Sequence, residues 1–339
     1  MRKSFRRYFQ YLKFVLLLVC LPVFALAAQN QGSENFTFTF ENDAFVGEDS
    51  GYTNGMGITF SQAPFDTFNA HNLPGWLHGL TRKSYISKMK NKHRGVAHMF
   101  FQRMQTPERL EISTLIENDV PYAGLLAWQG TLYAWDVNLS DQLSLYLGAV
   151  GPVTLAEQAQ ITIHELIDAD DPKGWRHQIG NEPVFKVEAQ RVWNLYRSKS
   201  RGFQYDILGL GGVGLGNLES ATKWGLAVRW GTQLESSFSV FSIQADRQVN
   251  PMALTGSEGF YLFFGVHAGW VFNDILIDGN TFRSSHSVPL DHIQDQISAG
   301  AVWSEGRYGL VFQISSISSK TTLINKRGNF GALSYTYQY

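Results

Sequence analysis

Cysteine is nearly absent from this chain: of 339 residues only Cys20 is one. It lies in a segment with the features of a secretory leader. The expected mature protein therefore has no disulfide and no thiol, which excludes a cysteine nucleophile or a cysteine-containing metal site. Beyond that leader no stretch approaches the ~18 consecutive apolar residues of a membrane helix. The glycine-rich stretch from Gly214 to Asn217 holds no Gly-x-Ser-x-Gly elbow, and no serine stands beside a histidine in the motifs described below. An excess of positive charge is missing as well. The leader holds five of the 28 basic residues and none of the 29 acidic ones, so the mature chain carries a net charge of −6. That balance argues against nucleic acid as a partner.

The leader itself is read from Arg2, Lys3, Arg6, Arg7 and Lys13, followed by an apolar run from Phe14 to Ala25 and the small residues of Ala25-Leu26-Ala27. This is the pattern of a signal peptide removed near Ala27 or Ala28, giving a segment 1–28 and a mature domain 29–339. An uncleaved anchor helix is the alternative. A lipoprotein through Cys20 fits less well, because Val19 before it is not small.

What the mature chain does contain is alternation. Phe36-Thr37-Phe38-Thr39-Phe40, Leu143-Ser144-Leu145-Tyr146-Leu147, Val184-Phe185-Lys186-Val187-Glu188-Ala189 and Tyr335-Thr336-Tyr337-Gln338-Tyr339 all show a period of two. Segments of about ten residues with this period, rich in aromatics and glycine, characterise outer-membrane barrels. A soluble β-sandwich also alternates. The signal peptide, the frequent aromatics and the terminal alternating strand ending on Tyr339 favour the barrel. The expected fold is all-β: a transmembrane antiparallel β-barrel of about twelve strands, with a short helix in an extracellular loop.

The strands are expected near 35–42, 52–62, 95–106, 123–136, 141–150, 183–196, 203–216, 220–232, 258–273, 292–304, 307–318 and 329–339. An even number places both termini in the periplasm. The connections at 43–51, 107–122, 151–182, 217–219, 274–291 and 319–328 then face outward. Residues 63–94, with Trp76, Arg82, Lys83, Lys88, Lys90, Lys92 and Arg94, form a long inner connection. They are either an amphipathic helix or a misplaced strand pair.

Two separated stretches carry the candidate chemistry. Phe40-Glu41-Asn42-Asp43 is followed by Tyr52-Thr53-Asn54-Gly55. Their carboxylate and amide oxygens suit a hard cation such as Ca²⁺. Residues 153–167 lack Gly and Pro and space Glu157, Gln160 and His164 at three and four, which predicts a loop helix with one polar face. His164 is placed to act as a general base. Read blandly, Asn42-Asp43 is a turn and His164 an exposed loop residue. A regular strand would also point Asn42 and Asp43 to opposite faces, so one site requires the strand to end or bulge there. Thr37, Thr39 and Glu41 are expected in the lumen, and Phe36, Phe38 and Phe40 toward lipid.

Taken together, Glu41-Asn42-Asp43…Tyr52-Thr53-Asn54-Gly55, Asn118-Asp119-Val120-Pro121-Tyr122-Ala123-Gly124, Leu147-Gly148-Ala149-Val150-Gly151-Pro152…Gln160…His164…Gly174-Trp175 and Ile277-Asp278-Gly279-Asn280-Thr281-Phe282 resemble the lipid A deacylase LpxR family. The resemblance spans nearly the whole mature chain. It implies a twelve-stranded outer-membrane barrel whose partner is lipid A, or lipopolysaccharide, in the outer leaflet. The implied reaction is Ca²⁺-dependent removal of the 3′-linked acyloxyacyl chain by a histidine-activated water. Carried onto this sequence, it implies Asn42, Asp43 and Thr53 at the metal and catalytic site, Gln160 and His164 as the helix pair, and Asp170 as a further metal ligand. Asp170 stands where the family pattern has Glu, with Glu165 and Asp168 as rivals, and Val120 stands where many members have Arg. A passive porin-like barrel and a serine-dependent outer-membrane phospholipase are the competing functions.

Overall fold

The computed structural model describes residues 33–43, 52–69, 73–167, 171–200, 202–236, 238 and 258–339. The expected signal peptide lies outside the described residues. In chain order the strands are β1 (Ser33–Asn42), β2 (Tyr52–Phe65), β3 (His93–Gln105), β4 (Ala123–Trp135), β5 (Leu139–Val150), β6 (Glu182–Ser200), β7 (Phe203–Gly216), β8 (Glu219–Gly231), β9 (Gly259–Asp274), β10 (Ile293–Glu305), β11 (Tyr308–Ile317) and β12 (Gly328–Gln338). Among the described residues four α-helices interrupt them: α1 (Gly75–Thr81), α2 (Tyr85–Lys88), α3 (Ala156–Ile167) and α4 (Ile275–Asp278). Every strand pairs antiparallel with its sequence neighbours, and β12 returns to β1 with Phe36 opposite Tyr337 and Asn42 opposite Gly331. The closed ring leaves no sheet edge, so apart from bulges such as those in β2 and β6 the ladder donors and acceptors are paired within the wall. No described helix is long and apolar enough to cross a membrane.

The burial pattern separates a membrane barrel from a soluble sandwich. Along β6 the buried side chains are Glu182, Val184, Lys186, Glu188, Gln190 and Val192, four of the six polar, whereas Phe185 and Val187 are about half exposed. A sandwich buries its apolar face; here the apolar face is outside and the polar face inside, as lipid outside a closed barrel requires. The first strand follows the expected facing: Thr37, Thr39 and Glu41 are buried and Phe38 is exposed. Thr37 bonds Thr336 at 2.7 Å and Thr39 bonds Ser334 at 2.8 Å across the β1–β12 closure. Deeper in the lumen, Arg229 makes a two-pronged bond to Asp206 at 2.7 and 2.9 Å, both groups fully buried.

The two ends of the barrel differ. At the loop end, the connections after β1, β3, β5 and β9 are long. There Val120, Ala221, Val271, Ile277, Val288 and Leu290 form a buried apolar cluster over the mouth. At the terminal end, where β1 begins and β12 finishes, Leu234 and Phe238 pack on Leu208, Tyr261 and Phe263. Between β2 and β3 the described residues form α1 and α2 and no strand, so of the two readings of 63–94 the helical one holds. The second strand continues to Phe65, three residues beyond its expected end.

Candidate active site

The candidate site is built where the loop ends of β1 to β4 meet the loop after β5. At the loop end Asn54 pairs with Met104, and Met104 with Gly124, across three adjacent strands. Asn42 lies one step beyond the last β1–β2 pair, Glu41 with Gly55. These positions form one row on the membrane-facing side, opposite in facing to the buried Arg103 and Gln105. The strand ends at Asn42, and Asp43 enters a turn, so the alternation that would send the two side chains to opposite faces stops between them. Asp43 is buried and Asn42 half-buried. The β2–β3 register slips between Tyr52 and Asn54, which makes Thr53 the bulged residue of its strand. The Thr53 side chain and the whole of Asp168 and Asp170 lie outside the described residues; Glu165 is exposed.

Helix α3 lies against the β3 and β4 part of this row. A 3-10 turn at Pro152–Thr154 and Leu155, in the left-handed region at φ 57°, swing the chain back onto the wall. Gln102 Nε2 donates to the Thr154 carbonyl at 2.6 Å. The helix can approach because β4 presents Gly124: a Cβ there would lie 2.2 Å from Thr154 Oγ1 and 2.5 Å from Ala156 Cβ. Beneath the helix, Met104, Leu110, Tyr122, Ala156 and Trp175 form a buried apolar cluster. Burial pushes the Tyr122 phenol above its ordinary value, so this group stays neutral.

The helix face turned to the wall carries Ala156, Gln160 and His164, at a spacing of four. Gln160 is fully buried and His164 is 4% exposed, whereas Glu157 is only half-buried. The polar face expected from sequence is therefore an inward one, and the exposed-loop reading of His164 fails. Trp175 Nε1 donates to Gln160 Oε1 at 2.7 Å. An indole N–H can only donate, so the amide orientation of Gln160 is fixed with its oxygen toward Trp175. Its Nε2 is buried with no hydrogen-bond partner among the described residues. A buried amide donor of this kind is costly to leave unmade and is a place for a water or substrate oxygen.

Sequence reasoning grouped Trp175 with the other motif residues without a role; its single donor is visible only once Gln160 is beside it. A second tie was missed. Asn280 bonds both main-chain groups of Gly180, at 2.7 and 2.8 Å, and Glu182 accepts from the amides of Thr281 and Phe282. These contacts lock the loop after β9 to the strand that follows α3. On the lumen side of β3, a cavity of about 110 Å³ is lined by Arg103, Gln105, Asp119, Lys320 and Arg327. Among the described residues no group of three His, Cys, Asp or Glu side chains is arranged to hold a metal. Asn42 and Asp43 nevertheless offer only hard oxygen donors, the chemistry that Ca²⁺ takes.

A family model described as Outer membrane protein LpxR matches residues 12–339. The chain belongs to the LpxR family. Of solved structures, LpxR from Salmonella typhimurium aligns with a TM-score of 0.73 at 15% identity, covering 89% of this chain and 99% of that one. The two share the barrel fold. The beta domain of the Bordetella autotransporter BrkA aligns at a TM-score of 0.44 and 10% identity, over 91% of this chain and 98% of that one. The translocator domain of NalP from Neisseria meningitidis aligns at 0.37 and 11%, over 99% and 98%. No curated protein matches the chain in sequence. Val120 sits in the apolar cluster over the mouth. The same residue lines the cavity beside Glu108, Asp119 and Arg327.

Proposed function

We propose that the protein is a lipid A 3′-O-deacylase of the outer membrane, hydrolysing the 3′-linked acyloxyacyl ester at the outer rim of the barrel wall. The observation that carries this reading is the buried Gln160–His164 face held against the membrane-facing side of β3 and β4. A hydrolytic dyad in the lumen would meet solutes; one on the outer wall meets lipid. In this mechanism His164 accepts a proton from water as the water oxygen adds to the ester carbonyl. The tetrahedral intermediate then collapses, and the protonated His164 returns its proton to the departing sugar oxygen. The products are the free fatty acid and a 3′-hydroxyl. The Nε2 of Gln160 donates to the attacking water or to the carbonyl oxygen, oriented by Trp175. Asn42, Asp43, Thr53 and Asp170 would hold Ca²⁺, which supplies charge stabilisation to the developing oxyanion.

The apolar clusters at both ends count against a passive pore, whose lumen would be open and wet. The even strand number puts both chain ends on one side of the barrel; with that side in the periplasm, α3 faces the cell exterior. Mass spectrometry of lipid A from cells with and without the protein tests the proposal. Loss of the 3′-linked acyloxyacyl mass is expected with the protein, and identical spectra would overturn it.

A further inference from the structure

The helical connection between β2 and β3 belongs to none of this chemistry, and it carries an unusual charge pattern. From Thr67 to Pro107 there is no carboxylate. Arg94 is buried and clips the segment together, donating to the main-chain oxygens of Asp66, Met89 and Lys92. Lys92 pairs with Asp136. The remaining cations, Arg82, Lys83, Lys88 and Lys90, are exposed and form no ion pair among the described residues.

The segment does not plug the lumen. Leu77 of α1 and Ile86 of α2 pack on Val96, Leu132 and Ala134. By strand alternation these three face away from the lumen, since Ala97, Thr131 and Tyr133 between them face inward. The helices therefore lie along the membrane-facing wall at the terminal end. Trp76 is 52% exposed and Leu80 64% exposed. The Trp76 ring sits 5.6 Å from that of Trp128, which stacks on His98 on the same outer face. The apolar belt of the barrel thus runs on into Trp76 and Leu80, with Arg82 and Lys83 directly after α1, Lys88 at the end of α2 and Lys90 just beyond it. An apolar face continuous with the belt and rimmed by unpaired basic groups is the composition of an interfacial membrane element.

We propose that the α1–α2 segment is a docking surface for anionic phospholipid of the inner leaflet, with Trp76 and Leu80 among the acyl chains. Arg82, Lys83, Lys88 and Lys90 take the headgroup phosphates. The leaflet follows from the orientation given under Proposed function, whereas the binding does not depend on it. Charge complementarity selects the anionic lipid, and continuity with the belt selects a bilayer over a soluble ligand.

The full chain, purified in neutral detergent, is equilibrated with equal amounts of phosphatidylglycerol and phosphatidylcholine. The lipid retained per barrel is then counted by mass spectrometry. Wild type should retain phosphatidylglycerol over phosphatidylcholine by roughly ten-fold at low ionic strength, and less as salt rises. The variant R82Q/K83Q/K88Q/K90Q should fall to parity while its unheated gel mobility shows an intact barrel. Lys326→Gln, at the opposite end, should keep the wild-type preference. Parity in wild type, an unchanged preference in the quadruple variant, or an equal loss in Lys326→Gln would each overturn the proposal. Lipid A is absent from this measurement, so a failed deacylase assignment and a failed lipid surface give different results.

Discussion

Gly124→Ala isolates the dependence of the site on how closely α3 lies against the wall. The added methyl would meet Ala156 Cβ at 2.5 Å, about 0.9 Å short of ordinary van der Waals contact, and Thr154 Oγ1 at 2.2 Å. Neither neighbour yields easily. Thr154 is held by Oγ1 and amide bonds to the Gly151 carbonyl at 2.7 and 3.0 Å, and Ala156 Cβ has no rotamer to change. The start of the helix must therefore lift by about 1 Å, carrying Gln160 and His164 with it, and a misplacement of that size costs roughly 10²-fold in rate. The strand ladder around Gly124 is main-chain and should persist. Fatty acid release from purified lipid A, measured at saturating substrate, should drop roughly 10²-fold while unheated gel mobility is unchanged. Adding Ala156→Gly removes the contact at 2.5 Å and should recover part of the loss. Wild-type turnover in Gly124→Ala would refute the placement of the catalytic face on α3, and a barrel that no longer folds would show that Gly124 serves assembly instead.

Three other outcomes follow from the same structure. His164→Ala should lose at least ~10²–10⁴-fold in deacylation with the barrel assembled, and His164→Asn should be nearly as inactive; near-normal turnover in a folded His164→Ala would put the base elsewhere. Exhaustive chelation should abolish activity and Ca²⁺, but not Zn²⁺, should restore it, because Asn42, Asp43 and Thr53 offer hard oxygens and no sulfur; undiminished activity after chelation would exclude a catalytic calcium. Asp206→Ala removes the carboxylate shared by the fully buried Arg229 and by Arg197 and should cost about 3–5 kcal/mol, read as a lower temperature of conversion of the compact gel band. Asp206→Ala/Arg229→Met should recover most of it, and equal stability of all three proteins would show the pair to be incidental.

Strand number, order and facing were legible because a barrel wall is a local code. Each residue's side is set by the period of two, and apart from the β1–β12 closure each strand meets only its neighbours in sequence, so alternation such as Leu143-Ser144-Leu145 needs no distant partner to interpret. The helix over 156–167 was equally legible from the i, i+4 spacing of Gln160 and His164 and the lack of Gly and Pro. The fate of residues 66–92 was not. The residues that decide it, Val96, Leu132 and Ala134, lie on other strands and would otherwise read as ordinary lipid-facing positions.

The sequence by itself determined a disulfide-free, alternating barrel with oxygen donors at the end of its first strand and a Gln–His pair in one loop helix. Only the tertiary structure decided which way that pair faces. The helix could present Gln160 and His164 to water or to the wall with the same spacing. The choice rests on contacts among residues remote in sequence: the missing Cβ of Gly124, the cluster of Met104, Tyr122 and Trp175, and the indole that holds Gln160. Periodicity fixes a face within one element; which neighbour covers that face is set by packing, and packing exists only once the ring has closed.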